Sequence, residues 1–316
     1  MLLAPTTELV RVHQYNKFMK VTLPTFSPDL FARFKHYSIF VHKIKFSNTW
    51  PSNEFEFLSL KLQPWTTLSL QAQHGPLLPN LRELQFSGLL HYSERDQFLL
   101  WISAFVSPSV DTLSISTNFD GRLSQQLTAD VLSLLTQRAP RLKKLTHNLT
   151  IQPPRHEDSE QSAASWLALS PVTCDHLQSL QHLAHLAIEG GFIDLAIFSE
   201  LSRLPNLEYL SIFQGHDHNK MLSSIFENAQ LLLGSFPSLR TLQLISDTLD
   251  DIVAAWKATP LVSGLTAVSL QYSRMQIRRG PDESIYDHRV LRLILPSISK
   301  SSPYVKQLTM GSRYGG

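Results

Sequence analysis

Thirteen histidines and one cysteine are the residues of this 316-residue chain best suited to metal or nucleophilic chemistry. Their spacing decides whether they act together. His216-Asp217-His218, after Gly215, sets two imidazoles beside a carboxylate, a pair that can hold a divalent metal. A structural zinc needs four ligands, and no cysteine or further histidine lies at the spacing that would complete the set. The stretch therefore reads as a solvated loop between a strand and a helix. His182 and His185 bracket Leu183, and alternation places His185 toward solvent. His156-Glu157 lacks the second histidine of a zinc-protease helix. No Gly-x-Ser-x-Gly, phosphate-cradling loop or dinucleotide fingerprint is present, and 12 glycines leave few positions for such backbone chemistry. Cys174 reads as a small buried hydrophobe. Asn148-Leu149-Thr150 fits the glycosylation triplet but is expected to stay unmodified without secretion. No catalytic, cofactor-binding or metal residue is thus expected, and no enzyme.

Composition narrows the partners. The 28 Lys and Arg nearly balance 26 Asp and Glu, giving +2 with the signs interspersed, whereas a nucleic-acid footprint needs a clustered basic face. An apolar fraction of 43% supports a sizeable core. The lone cysteine allows no internal disulfide framework, as in a reducing compartment. The start of the chain lacks the basic flank and apolar run of a signal peptide, and no apolar stretch is long enough to span a bilayer. The expectation is an intracellular protein of cytoplasm or nucleus, without membrane or nucleic-acid partners.

The elements that would position any site come from a recurring leucine pattern. Leu204-Pro-Asn-Leu207-Glu-Tyr-Leu210-Ser-Ile212 combines a helix-stopping Pro-Asn turn with the period-two alternation of a half-buried strand. The pattern recurs from Val41, Leu81, Val110, Leu142, Leu183, Leu239, Leu265 and Val305, although His147 replaces the last apolar position of the Leu142 copy. A further match at Trp65-Thr-Thr-Leu68-Ser-Leu70 lies too close to the Leu81 copy for a strand plus a helix; part of residues 47–76 is expected to be helical or a degenerate unit. From Leu81 onward the intervals run 29, 32, 41, 24, 32, 26 and 40 residues, irregular but near leucine-rich-repeat length.

Amphipathic segments fill the gaps. Helices are expected over 29–37 with Asp29 as N-cap, and over 93–106, 128–138 and 193–204. Another is expected over 219–234, with Leu222, Ile225, Phe226, Ala229 and Leu233 on one face. The segments 247–259, opening on Asp247 as a capping box, and 286–295 complete the set. Strand and helix in alternation describe an α/β solenoid: a curved parallel sheet on the concave face, helices on the convex face, each repeat burying its leucines against the next. The same runs could instead line the core strands of an ordinary α/β sheet. The expected division is a non-repeat cap over 1–36 and a repeat domain over 37–316, with exposed insertions near 151–165 and 276–287.

Residues between the leucines then face the concave surface, where a curved repeat sheet binds its partners. The candidates are Arg82, Glu83, Gln85, Asp111, Lys143, Lys144, His185, Glu208, Tyr209, Ser211, Arg240 and Gln243, flanked by Thr112, Ser114, Thr241, Lys306 and Gln307. A mixed polar surface with one aromatic suits a protein partner.

The passage from Leu30-Phe-Ala-Arg-Phe-Lys-His-Tyr37 to Val41-His-Lys-Ile-Lys-Phe46, then Leu77-Leu-Pro-Asn-Leu-Arg-Glu-Leu84 and the irregular leucine copies, resembles fungal, basidiomycete-type F-box proteins with leucine-rich repeats. The resemblance covers about residues 26 to 310 and is carried by leucine spacing. It implies a repeat array that presents a substrate to a cullin-type ubiquitin ligase. In that family an N-terminal F-box docks on a Skp-type adaptor. Residues 1–29 show no Leu-Pro-x-Glu start and are short for an F-box, so an adaptor is expected only if an F-box lies outside this chain. The alternative is a stand-alone interaction scaffold with no ubiquitin link.

Overall fold

The computed structural model describes residues 6–13, 16–22, 28–48, 70, 72–89, 95–120, 124–152, 171–214, 222–246, 248–272, 292 and 294–312. Two strands, β1 (Thr6–His13) and β2 (Asn16–Thr22), pair antiparallel as a separate hairpin. Helix α1 (Pro28–Ser38) leads into β3 (Lys43–Asn48). Then follow β4 (Glu83–Leu89), α2 (Arg95–Phe105), β5 (Thr112–Asp120), α3 (Ser124–Arg138) and β6 (Lys144–Gln152). The array continues with α4 (Pro171–Ser179), β7 (His185–Glu189), α5 (Leu195–Ser202), β8 (Tyr209–Phe213), α6 (Leu222–Asn228) and β9 (Thr241–Ser246). It closes with α7 (Leu249–Lys257), α8 (Thr259–Val262), β10 (Ala267–Tyr272), a helix α9 over 294–301, and β11 (Gln307–Ser312).

Strands β3 to β11 form one nine-stranded sheet in strict sequence order, and every pair in it is parallel. This is the solenoid the leucine spacing predicts. The register aligns the copies residue for residue: Ile44, Leu84, Leu113, Leu145, Leu186, Leu210, Leu242, Val268 and Leu308 share one row. Seven of these nine, all but Ile44 and Leu308, are buried. The buried strand residues join the inward faces of the helices in a single core cluster. Helices pack about 8–10 Å apart and strands about 4.8 Å, so an array with helices on one side curves with its strands on the concave side.

The turn entering each strand is equally regular. One carbonyl accepts two successive N–H groups from the next rung: Arg82 O from Asp111 and Thr112, Glu208 O from Arg240 and Thr241, Arg240 O from Thr266 and Ala267. The Pro-Asn-Leu signature has a second use here. Asn80 Nδ2 donates to Ile39 O at 2.7 Å, Asn206 Nδ2 to Gln181 O at 2.8 Å, and Ser238 Oγ to Pro205 O at 2.5 Å. Each reaches the backbone of the preceding rung, two residues before that rung's leading apolar residue. The proline stops the helix, and the polar residue after it ties the rung to its neighbour.

Asp251 does the same from the helix layer. It is buried in the first turn of α7; its Oδ1 accepts from Ser223 N at 2.6 Å and its Oδ2 lies 2.7 Å from Ser246 Oγ. Ser246 Oγ also lies 2.8 Å from Gln214 Oε1. One carboxylate thereby joins the ends of β8 and β9 to the start of α6, and it satisfies polar groups that burial would otherwise penalise.

Several expectations need correction. The N-cap of α7 is Thr248, whose Oγ1 accepts from Asp251 N, so the cap lies one residue beyond Asp247. Helix α1 begins at Pro28, which places Asp29 inside the first turn rather than at the cap. Tyr37, in the last turn of α1, is 45% exposed, and Ser38 beside it is buried. Helix α6 stops at Asn228, and Leu233 is fully exposed. The chain leaves that helix early because Phe236 enters the core, with its N–H donating to Ser202 O and its φ at +56°. The last helix passes through Pro296 to residue 301 instead of ending at 295. β3 pairs directly with β4, so the sheet holds no rung between them; Leu70 is helical and residues 65–69 lie outside the described residues. β6 takes up Ile151 and Gln152 from the first insertion, while 153–165 and 276–287 lie outside them.

Candidate interaction surface

Side chains alternate along a strand, so the row beside the buried leucines stands on the open face. In register this row reads Lys43, Glu83, Thr112, Lys144, His185, Tyr209, Thr241, Ala267, Gln307. Two residues further along stand Lys45, Gln85, Ser114, Thr146, Ala187, Ser211, Gln243, Ser269 and Thr309. The sequence points to Glu83, Gln85, Lys144, His185, Tyr209, Ser211 and Gln243 in these rows, with Thr112, Ser114, Thr241 and Gln307 beside them, and the sheet brings them together. Sequence reasoning passed over Lys43, Lys45, Thr146, Ser269 and Thr309. Applying the same alternation to every copy would have found them.

Arg82, Asp111, Lys143, Glu208 and Arg240 each precede a strand by one residue. They line the entry edge of the sheet, where their carbonyls make the paired rung bonds. All but the half-buried Asp111 are exposed.

One cluster of side-chain contacts lies at the centre of the face. The rings of His185 and Tyr209 stack with centroids 5.6 Å apart at 30°. The Tyr209 hydroxyl donates to Gln243 Oε1, and Ser211 Oγ donates to the same oxygen at 3.2 Å. Ser211 is itself buried, so it supports Gln243 from below and offers a partner no surface of its own. That corrects its assignment as a contact residue. A second cluster lies toward the N-terminal edge: Lys43 Nζ pairs with Glu83 Oε2 at 2.9 Å, and Gln85 Nε2 donates to Glu83 Oε1 at 2.6 Å. A fixed aromatic platform flanked by exposed Lys144, Glu208 and Arg240 offers apolar area at low entropic cost beside charges of both signs.

Other candidates for chemistry resolve differently. His147 occupies the buried row between Ile115 and Ile188, and its Nε2 lies 3.3 Å from Thr128 Oγ1. Burial lowers its pKa from 6.5 to about 4, opposed by a backbone hydrogen bond. At neutral pH it is an uncharged core residue. Cys174, expected to be buried, is partly exposed; burial first, and then the carboxylates of Asp194, Glu200 and Asp175, raise its thiol pKa. That is the opposite of an activated nucleophile. Asn148 to Thr150 form part of β6. The His216-Asp-His218 and His156-Glu157 stretches lie outside the described residues. Among those residues no group of three or more His, Cys, Asp or Glu is placed to hold a metal, and no helix is long and apolar enough to cross a membrane. A cavity of about 350 Å³ opens on the helix side between α6 and α8, lined by Phe226, Ala229, Leu231 and Pro260. The Lys257–Glu227 pair, 2.7 Å apart, belongs to its wall.

No protein-family profile and no curated protein matches the chain.

Proposed function

We propose that the chain is a non-catalytic protein-interaction module that binds a protein partner across the open face of its sheet. The observation that supports this most directly is the central platform of His185, Tyr209 and Gln243, held by ring stacking and hydrogen bonds within a largely polar, mostly half-buried sheet face. Interfaces concentrate their energy in a few aromatic and arginine anchors ringed by polar contacts, and Tyr209 with Arg240 has that composition. The F-box resemblance extends the reading: the bound protein is a substrate, and the repeats are the recognition half of a cullin-type ubiquitin ligase. The regular helix-to-strand passage from α1 into β3 is the element that supports this extension.

The test is affinity capture followed by mass spectrometry with the full chain, beside Tyr209→Ala/Arg240→Glu and Arg82→Glu variants. The partner captured by the wild type falls at least tenfold with the double variant and less with Arg82→Glu, while thermal melting stays unchanged. Equal capture by a folded double variant overturns the site. A Skp-type adaptor or cullin co-purifying with the wild type supports the ligase reading. A reproducible partner without either assigns the stand-alone scaffold.

A further inference from the structure

The two edges of the nine-stranded sheet are built differently. β3 carries Lys43 and Lys45 on its open face, the charged guard that natural edge strands use against pairing. β11, Gln307-Leu-Thr-Met-Gly-Ser312, has no charge and no proline, and among the described residues no strand pairs with its outer side. Gln307 and Thr309 stand in the same rows as Lys43 and Lys45, so the guard is missing at the equivalent positions. Behind the strand, Leu308 and Met310 are only half-buried, and Leu295 and Tyr304 are 44% and 66% exposed. Among the described residues, then, no polar cap covers the outer side of β11, the device with which a solenoid terminus blocks association.

We propose that β11 pairs antiparallel with β11 of a second copy of this chain. The backbone geometry of β11 is self-complementary for that occupant. Gln307 N–H bonds to Thr266 O of the preceding rung. In a parallel strand alternate residues point to opposite sides, so the N–H and C=O groups of Leu308 and Met310 face outward. A two-fold axis perpendicular to the sheet through Thr309 matches Leu308 of each copy with Met310 of the other. Four backbone hydrogen bonds form from the outward groups alone. The same operation keeps both helix layers on one side and brings the half-buried Leu308 and Met310 of the two copies together. It sets Thr309 opposite its symmetry mate in a non-hydrogen-bonded pair, with Cα atoms about 4.5 Å apart. A two-fold interface of this kind closes at the dimer and leaves the lysine-guarded β3 edges outside it.

Three measurements on the full chain test this. Sedimentation equilibrium reads a mass twice the 35.8 kDa of the monomer for the wild type. Thr309→Lys, which places like charges directly opposite each other, shifts the mass to the monomer, and Thr309→Val preserves the dimer. In a Cys174→Ser background, Thr309→Cys forms a covalent dimer on mild oxidation, because about 4.5 Å lies within disulfide reach; Lys45→Cys at the opposite edge does not. A monomeric wild type overturns the proposal. So does a dimer that a folded Thr309→Lys variant retains, or a cross-link that forms equally well at Lys45→Cys. Growth into filaments instead of a closed dimer overturns it too, since that requires the β3 edge.

Discussion

The middle of the array and its two ends obey one sequence pattern and reach different degrees of burial. In β7, β8 and β9 the leading leucines and the row leucines, Leu183, Leu207, Leu239, Leu186, Leu210 and Leu242, are all buried. At the ends, Val41 and Ile44 on one side and Val305 and Leu308 on the other are only half-buried. The pattern is the same; the number of neighbours differs. Among the described residues a rung in the middle has a strand on both sides, while β3 and β11 have one on a single side, as expected of an array whose stability is a sum of neighbour contacts. The ends then diverge from each other, with lysines along β3 and an uncharged β11.

The sharpest test of this difference is truncation in the middle. Leu210→Ala removes a fully buried side chain from β8 and should cost roughly 2–5 kcal/mol, read as a fall in the urea midpoint with little change in slope. A cost below that range would mean the middle rungs repack easily.

His147 probes the same buried row with charge. Its folded pKa is about 4 against 6.5 for the unfolded chain, so the unfolded state binds the proton first as pH falls. Stability is full above pH 6.5 and declines through the window from 6.5 to 4, by on the order of 3 kcal/mol at its lower end. His147→Leu restores an apolar row residue and should flatten that part of the curve. An unchanged slope would assign the acid sensitivity elsewhere.

Asp251→Ala removes the acceptor shared by Ser223 N–H and Ser246 Oγ. Buried groups left unsatisfied should cost about 1–3 kcal/mol, with Asp251→Asn milder. Leu308→Ala, at the half-buried end, should cost roughly 1–2 kcal/mol, well below Leu210→Ala. Equal costs for the two leucines would remove the distinction between middle and ends. The smallest effect belongs to Lys43→Ala, which breaks the exposed pair with Glu83 and should change stability by less than about 1 kcal/mol.

The buried row and most of the open face were legible because both follow from period-two alternation, which is local. His185 is exposed where alternation puts it, and Tyr209 stands beside it because adjacent copies share register. Ser211 obeys the same alternation yet is covered. The group beneath which it lies, Gln243, is 32 residues away, and no local pattern reports its conformation. The helix boundaries were less legible for a similar reason. Leu233 continues the apolar spacing of α6, but the competing demand of Phe236 for the core ends the helix first.

The amino-acid sequence by itself determined that strands and helices alternate and which residue of each copy turns inward, because the direction of a side chain along a strand is fixed by local period-two alternation. Only the tertiary structure decided how the rungs are tied together and where the array stops gaining cover. Asp251 joins two strand ends to a helix start through atoms contributed by residues 214 to 251. The openness of β11 follows from its having, among the described residues, a strand neighbour on one side alone. Both depend on distances between segments far apart in the chain, and residue spacing does not encode those distances.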